Sequence, residues 1–214
     1  MDLYRPVGLE ELHLIYEADM RAFPPRLPDQ PIFYPVTNEA YAKQIAKDWN
    51  TKSGTLAGFV TRFTVSDDYV AKFERRIVGA REHEELWVPA EELTEFNGQL
   101  KGAVEVVAAS FGEGFRGHVP AAFGLKGKDA RQQFLGLAGT LDYSLFDFSG
   151  EVTANHLAIF LGFFFWEQWD FTGDGFDERA RDRVLEAVRK RWASGDRSSI
   201  PLGVIPPSDA RPRA

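Results

Sequence analysis

The stretch FVTRFTV, residues 59–65, has the period of two that is typical of a β-strand. Its odd positions, from Phe59 to Val65, fall on one side, and its even positions, which include Arg62, fall on the other. Short apolar runs lie on either side of it: LYRPV (3–7), PIFYPV (31–36), ELWVP (85–89) and AVEVVAA (103–109). Prolines in several of them suit strand ends and sheet edges. The first half of the chain therefore predicts a sheet of short strands.

Short helices separate these strands. Apolar residues recur with helical spacing at Leu9, Leu12, Ile15 and Tyr16, and again at Tyr41, Ile45 and Trp49. A further helical segment, AEELTEF, follows Pro89. We therefore expect an α+β domain over residues 1–109, with short helices and a split, mainly antiparallel sheet.

The composition changes at residues 110–128, where five glycines and one proline predict a linker. Beyond it we expect an all-α region over residues 129–193. Three helices are predicted there: ARQQFLGLAGTLDYSLF (130–146), ANHLAIFLGFFFWEQW (154–169) and DERARDRVLEAVRKRW (177–192). Residues 194–214 are rich in Ser, Pro, Asp and Arg and predict a disordered tail.

The composition restricts the classes of function. The 214 residues include no cysteine, so disulfides and thiol nucleophiles are excluded. The net charge of −7 argues against nucleic acid or an anionic membrane as a partner. The longest apolar run, at 157–166, is about half of what a bilayer span needs, and the first residues do not resemble a signal peptide. We expect a cytoplasmic protein with no membrane partner.

Three segments of the first half carry candidate functional residues. Arg5 lies on the first strand, where a guanidinium could bind a phosphate or a ribose hydroxyl. A proline-rich loop brings Tyr34 and Thr37 to the start of a helix. Glu84 and Glu85 open a later strand, and because adjacent strand residues face opposite ways, at most one of them enters a cleft. Taken alone, these segments are more typical of a solvent-exposed arginine, of core aromatics followed by a helix cap at Thr37 or Asn38, and of surface carboxylates.

Taken together, YRPV, FYPVTNEAYAKQIA and HEELWVP resemble the mono-ADP-ribosyltransferase superfamily in their order and spacing. Glu85 stands four residues before Pro89, where that family has its catalytic glutamate. Residues 1–109 also resemble small bacterial proteins labelled "ADP-ribosylation/crystallin J1", through RAFPPR, QPIFYPV, DW and HEELWVPAEEL. Crystallin J1 is similar to magnesium-dependent ADP-ribosyl hydrolases, which are helical and rich in Asp. Residues 1–109 contain no such Asp cluster, so we favour the transferase fold and expect no metal site.

The resemblance implies NAD as the substrate. Arg5 would hold a diphosphate or ribose oxygen, Tyr34 would pack against the nicotinamide, and Thr37 would lie on the same cofactor-binding side. Glu85 would bind the ribose 2′-hydroxyl and stabilise the positive charge that develops as the glycosidic bond breaks.

Two neighbours of Glu85 are candidates on the acceptor side. His83 stands two residues before Glu85, where arginine-specific members of the family carry a glutamate. Glu84 is the other candidate. Either residue could assist an acceptor, or simply face solvent.

The resulting functional hypothesis is the NAD-dependent transfer of ADP-ribose to an unknown macromolecule, a protein rather than a nucleic acid. One alternative is a non-catalytic nucleotide-binding or protein-interaction module on the same fold. Another is an interaction protein that uses the aromatic helix at 156–169 as a partner surface, although a core role is the default for such a helix.

In the second half, DFTGDG (170–175) imitates the start of an EF-hand loop. The pattern then fails, because Arg181 stands where the bidentate glutamate belongs. We therefore interpret this segment as a turn between helices, followed by an Asp-capped helix.

Overall fold

A computed structural model describes residues 1–80 and 83–205 of the chain. Contacts divide them into two compact units. Unit 1 comprises the described residues of 1–113 together with 204 and 205, and unit 2 comprises residues 114–203.

The described part of unit 1 contains six strands and four helices. The strands are β1 (Asp2–Val7), β2 (Ile32–Phe33), β3 (Ala57–Val65), β4 (Glu74–Ile77), β5 (Glu84–Pro89) and β6 (Leu100–Phe111). The helices are α1 (Leu9–Glu17), α2 (Glu39–Asp48), α3 (Asp67–Val70) and α4 (Leu93–Gly98). Unit 2 contains α5 (Ala130–Tyr143), α6 (Leu145–Ala154), α7 (His156–Trp166) and α8 (Glu178–Trp192). The predicted α+β class with a C-terminal helical segment is confirmed.

Unit 1 contains two antiparallel three-stranded sheets, in the orders β1-β3-β6 and β2-β5-β4. The strand predicted at 59–65 is most of β3, the central strand of the first sheet. Seven of its nine residues are buried, because other parts of unit 1 cover both of its faces.

Val36 connects the two sheets. On one side its backbone exchanges two hydrogen bonds with Tyr4 of β1, with N···O distances of 2.8 and 2.7 Å. On the other side it lies opposite Glu85 of β5, between a hydrogen bond from Thr37 to Glu84 and one from Leu86 to the Pro35 carbonyl. The two short sheets therefore share one continuous row of paired residues.

The two faces of the β1 region are packed differently. Arg5 and its alternate neighbours Leu3 and Val7 face a core of aromatic rings. These rings belong to Phe23, Phe33, Phe63 and Phe96. Helix α2 covers the opposite face, where it packs on Val36, Val60 and Val107 through Tyr41, Ala42 and Ala46. Position along β1 therefore decides which of two environments a side chain enters.

Unit 2 contains four helices where the sequence predicts three. The segment predicted as one helix over 130–146 is divided at Ser144, whose backbone is extended. The Ser144 hydroxyl accepts a hydrogen bond from the Asp147 N–H, so Ser144 is the N-cap of α6. The break occurs because this local cap competes with continuation of the helix.

Helix α7 forms the core of unit 2. Every residue from Ala158 to Trp166 is buried, including the aromatic side chains of the predicted partner surface. Of that segment, Trp169 is exposed, at 42%. The most exposed large apolar side chains of unit 2 lie elsewhere, at Tyr143 and Phe146. Among the described residues, no helix combines the length and apolar character needed to cross a bilayer.

The DFTGDG segment is a capped turn, as interpreted from the sequence. The Asp170 carboxylate accepts the Thr172 N–H at 2.9 Å, and Gly175 has a left-handed backbone with φ of 86°. Asp174 forms an ion pair with Arg131. Asp177 then caps α8 by accepting the Ala180 N–H at 2.8 Å.

The structure differs from the predicted domain limits at two places. Strand β6 continues to Phe111, and the Gly-rich segment after it belongs to unit 2, where Leu125 is fully buried. The first part of the predicted tail is also packed, because Ile200 is buried and its carbonyl accepts a hydrogen bond from the Trp192 indole. Residues 206–214 of that tail lie outside the described residues.

The close packing of α2 on β3 requires a glycine at position 58. A Cβ atom there would lie 2.7 Å from the Ala46 Cα and overlap the Ala46 carbonyl. We expect Gly58→Ala to destabilise unit 1 by about 2–3 kcal/mol, because backbone atoms must move to admit the methyl group. Hydrogen exchange in peptides from β3 and α2 measures this loss. Gly98→Ala is the control, since a Cβ atom at Gly98 meets nothing within 4 Å; equal loss of protection in both variants would contradict the prediction.

Candidate active site

One face of unit 1 carries a row of directly paired residues. Because paired residues of neighbouring strands point to the same side, their side chains form a line across both sheets. The row consists of Glu105 on β6, Arg62 on β3, Tyr4 on β1, Val36, Glu85 on β5 and Arg76 on β4. Arg62 and Glu105 form an ion pair within it, at 2.7 Å.

Glu85 is held by the side chain of Tyr41. The Tyr41 hydroxyl donates a hydrogen bond to Glu85 Oε1 at 3.2 Å. Tyr41 itself is fixed by the start of α2, where the Asn38 side chain accepts the Tyr41 N–H at 3.1 Å. Asn38 is therefore the N-cap of α2. The helix cap positions the group that orients the carboxylate.

His83 lies flat against Tyr41. The two rings are 4.1 Å apart between centroids and inclined by 12°. Nδ1 of His83 accepts the Ala80 N–H at 3.3 Å, so in the neutral imidazole Nε2 carries the proton. The His83 backbone also pairs with Val78, at the turn between β4 and β5. The structure therefore brings His83, Tyr41 and Glu85 together.

Tyr41 and Tyr4 both have a raised pKa. Burial raises the pKa of Tyr41, and the charge of Glu85 and the hydrogen bond to it raise that pKa further. Burial also raises the pKa of Tyr4, with a second contribution from the nearby carboxylate of Glu39. Both phenols are consequently neutral hydrogen-bond donors at neutral pH.

Arg5 lies on the other face of the sheet, which differs from the convergence implied by the resemblance. Its neighbour Tyr4 pairs with Val36, so the strand alternation turns Arg5 away from Glu85. Arg5 is 7% exposed and donates to both oxygens of Glu11, at 2.7 and 3.1 Å. It also donates to the Tyr34 carbonyl at 3.3 Å. The hydrogen bonds of Arg5 thus go to Glu11 and to the backbone of Tyr34, on the face away from Glu85.

Tyr34 and Thr37 lie on either side of the Val36 bridge. The ring of Tyr34 contacts that of Trp87 edge to face, with centroids 5.2 Å apart. Trp87 follows Glu85 by two positions on β5 and so shares its face. Thr37 donates its backbone N–H to the Glu84 carbonyl at 3.2 Å. Tyr34 and Thr37 thus lie close to Glu85 through the pairing of Val36 with Glu85. Among the described hydrogen bonds, neither of them contacts the Glu85 carboxylate.

Glu84 points away from Glu85, as strand alternation predicts. Its carboxylate lies 3.6 Å from the Arg75 guanidinium in an ion pair. Of the two adjacent glutamates, Glu85 therefore belongs to the face with Tyr41 and His83. Glu84 belongs to the opposite face, beside Arg75.

Sequence reasoning missed Tyr4 and Tyr41 as members of this site. Helical spacing places Tyr41 on the apolar stripe of α2, although its position three residues after the Asn38 cap is a usable signal. On the first strand, the charge of Arg5 indicates a candidate residue, whereas nothing local indicates its neighbour Tyr4. The pairing of Tyr4 with Val36 is a long-range contact, and no local pattern indicates it.

Among the described residues, no group of three or more His, Cys, Asp or Glu side chains is arranged to hold a metal ion. Comparison of the chain with protein-family models, curated proteins and solved structures found no match.

The pairing of Arg5 with Glu11 predicts a structural role for Arg5. Glu11 also lies 3.7 Å from Arg26, whose pKa is lowered by burial and by the charge of Arg5. Glu11→Gln would remove the negative charge that both guanidiniums share. We expect the free energy of unfolding of unit 1 to fall by about 2–4 kcal/mol. Glu10→Gln, on the exposed side of the same helix, is the control; denaturant unfolding of unit 1 that does not distinguish the two variants would refute the role.

Because its pKa is raised, Tyr41 should contribute less to the stability of unit 1 at alkaline pH. A tyrosine whose pKa is raised by folding contributes stability below the unfolded value of about 10, and loses it as the pH rises through the folded value. Tyr41→Phe should therefore remove part of the tyrosinate absorbance that develops above the ordinary tyrosine pKa of about 10. Tyr143→Phe, which removes an 88% exposed phenol, is the matched control. Identical curves for the two variants would contradict the assignment.

Proposed function

We propose that unit 1 binds NAD and transfers its ADP-ribose to a protein acceptor. The observation that carries the proposal is the arrangement at Glu85, a carboxylate oriented by a buried, neutral phenol and flanked by the stacked rings of Tyr41 and His83. The similarity of the YRPV, FYPVTNEAYAKQIA and HEELWVP motifs to ADP-ribosyltransferases supports the same site.

Glu85 has the chemistry that the reaction requires. The Tyr41 hydrogen bond occupies Oε1, and Oε2 receives no hydrogen bond from a described residue. Oε2 would accept the 2′-hydroxyl of the nicotinamide ribose. As the bond between ribose C1′ and the nicotinamide nitrogen breaks, the nitrogen keeps the electron pair and positive charge builds on the ribose. A preorganised carboxylate stabilises that charge.

The second half of the reaction forms the new bond. A nucleophile of the acceptor attacks C1′ and releases its proton to solvent, which yields neutral nicotinamide and an ADP-ribosylated product. His83 with its proton on Nε2 would donate a hydrogen bond to the acceptor rather than take its proton. The net charge of −7 favours a protein over a nucleic acid as acceptor, and the need for NAD makes the cytoplasm the proposed compartment.

The position of Arg5 favours a second candidate function. The resemblance implies that Arg5 binds the diphosphate or ribose of NAD. In the structure, its guanidinium pairs with Glu11 on the face of the sheet opposite to Glu85. A domain of this fold that has converted its substrate-binding arginine to a structural ion pair would bind a nucleotide weakly and not cleave it. This non-catalytic module is the alternative that the experiment must exclude.

Nicotinamide release from NAD by the purified full chain, with cell lysate as a source of acceptor, tests the proposal. We expect Glu85→Gln to lower the rate by a factor of about 10²–10³, since a preorganised group that stabilises the transition state is lost. Glu84→Gln is the matched control, because the same change one residue away affects the opposite face. Its rate should stay within about threefold of the wild type.

Two outcomes would overturn the catalytic proposal. Equal rates for Glu85→Gln and the wild type would show that another group performs the cleavage. Saturable NAD binding by a folded wild-type protein that releases no nicotinamide would establish the non-catalytic alternative. Titration calorimetry on the same preparations distinguishes these results.

A further inference from the structure

Three large apolar side chains are exposed together where α5 meets α6. Tyr143 is 88% exposed, Leu145 is 69% exposed and Phe146 is 87% exposed. Tyr143 is the last residue of α5, and Leu145 and Phe146 are the first two residues of α6, on either side of the Ser144 cap. Single exposed apolar residues are common, but a cluster of them is typical of an interaction surface. We call these three side chains the knob.

A groove of about 360 Å³ adjoins the knob, since Leu145 also lines this groove. Helices α5, α6 and α8 form its walls. The apolar side chains that line it are those of Leu141, Leu145, Phe148 and Ala187. Its volume lies within the range of pockets that enclose an organic group. An apolar projection and an apolar groove therefore lie side by side on the surface of unit 2.

The groove and the knob carry opposite charges. Lys190 and Arg191 line the groove, and neither forms an ion pair with a carboxylate in the part of the chain that the structure describes. The hydrogen bonds of Arg191 go to neutral hydroxyl and carbonyl oxygens. Asp147 is exposed next to Phe146, and its carboxylate forms no ion pair with a described residue. The knob of one molecule therefore complements the groove of another in charge as well as in polarity.

From this combination we propose that the chain forms a two-fold symmetric dimer through unit 2, in which the knob of each copy enters the groove of the other. In such an interface every contact occurs twice, because the same surface is used by both copies. Asp147 of one copy would approach the partner's Lys190. The proposal goes beyond the proposed function and does not depend on Glu85, because every residue it uses belongs to unit 2.

A second copy accounts for both parts of the surface. A foreign peptide bound in the groove would leave Tyr143 and Phe146 in water, whereas a second copy covers the groove and the knob together. The area is also sufficient. The four aromatic rings of two knobs would bury roughly 600–1,000 Å², and the surfaces that they cover would lose a similar area. The sum reaches the roughly 1,200–2,000 Å² that is usual for stable, specific interfaces.

The mass of the full chain in solution, measured by light scattering after size exclusion over a range of concentrations, tests the proposal. We expect twice the mass of one chain at about 100 µM, because interfaces of this area have dissociation constants that are micromolar or lower. Dilution should shift the mass towards that of one chain.

Substitutions in the knob assign the dimer to this surface. Phe146→Ala should raise the dissociation constant at least about a hundredfold, because each dimer loses two buried rings. The monomer should stay folded, since the ring is 87% exposed. Phe123→Ala is the matched control, because Phe123 is a 69% exposed ring of unit 2 outside the knob and the groove.

A substitution in the groove tests the other half of the contact. Ala187→Arg should also weaken the dimer, because the longer side chain occupies the groove. Ala154→Arg is its matched control, since Ala154 is exposed at the end of α6 and does not line the groove.

Mixing the two variants tests the two-fold arrangement. Phe146→Ala keeps an intact groove and Ala187→Arg keeps an intact knob, so a mixed dimer retains one of the two knob-and-groove contacts. The mixed dimer should therefore be at least about tenfold tighter than the dimer of either variant alone. Glu85→Gln should leave the mass unchanged, which separates this test from that of the proposed function.

Any of three results would overturn the proposal. The first is a wild-type chain that has the mass of one copy at the highest concentration. The second is an equal dissociation constant for Phe146→Ala and Phe123→Ala. The third is association beyond two copies, which a closed two-fold interface does not allow. If Ala187→Arg loosens unit 2, the comparison of Phe146→Ala with Phe123→Ala decides.

Discussion

The backbone of Val36 pairs on both sides, and the architecture of unit 1 depends on that double pairing. The hydrogen bonds to Tyr4 attach it to the first sheet, and the bridge to Glu85 attaches it to the second. Each sheet has three strands, and β2 contributes only two residues to the second. Small sheets gain stability when a hydrophobic face packs against a helix. Joined through Val36, they present one surface that helix α2 can cover.

The same bridge distributes the polar residues between two environments. Because side chains alternate along a strand, the pairing of Val36 with Tyr4 and Glu85 directs both of these to the face of α2. The adjacent residues, Arg5 and Glu84, are directed to the other face by the same rule. Arg5 then enters the aromatic core, where a buried guanidinium requires the counter-charge of Glu11. A shift of one residue in this register would exchange the two sets.

In unit 2, the burial of α7 has a comparable organising effect. An 11-residue helix that is apolar on every side must be surrounded, and α5, α6 and α8 pack around it. The groove beside Lys190 lies at the end of α8, and the capped turn at 170–177 leads into the start of α8.

Local patterns in the sequence were sufficient to predict the α+β class, the strand at 59–65, the helix that contains Tyr41 and Ile45, and the Asp-capped turn. Each of these depends on side-chain periodicity or on hydrogen bonds between residues close in the chain. Strand alternation also predicted that Glu84 and Glu85 would separate. The division of a predicted helix at Ser144 was decided by the folded chain, and so was the position of Tyr4, rather than Arg5, on the face of Glu85. The pairing of Tyr4 with Val36, 32 positions apart, determines which face of β1 lies on the side of Glu85. Hydrophobic periodicity within either segment carries no information about the register of that pairing.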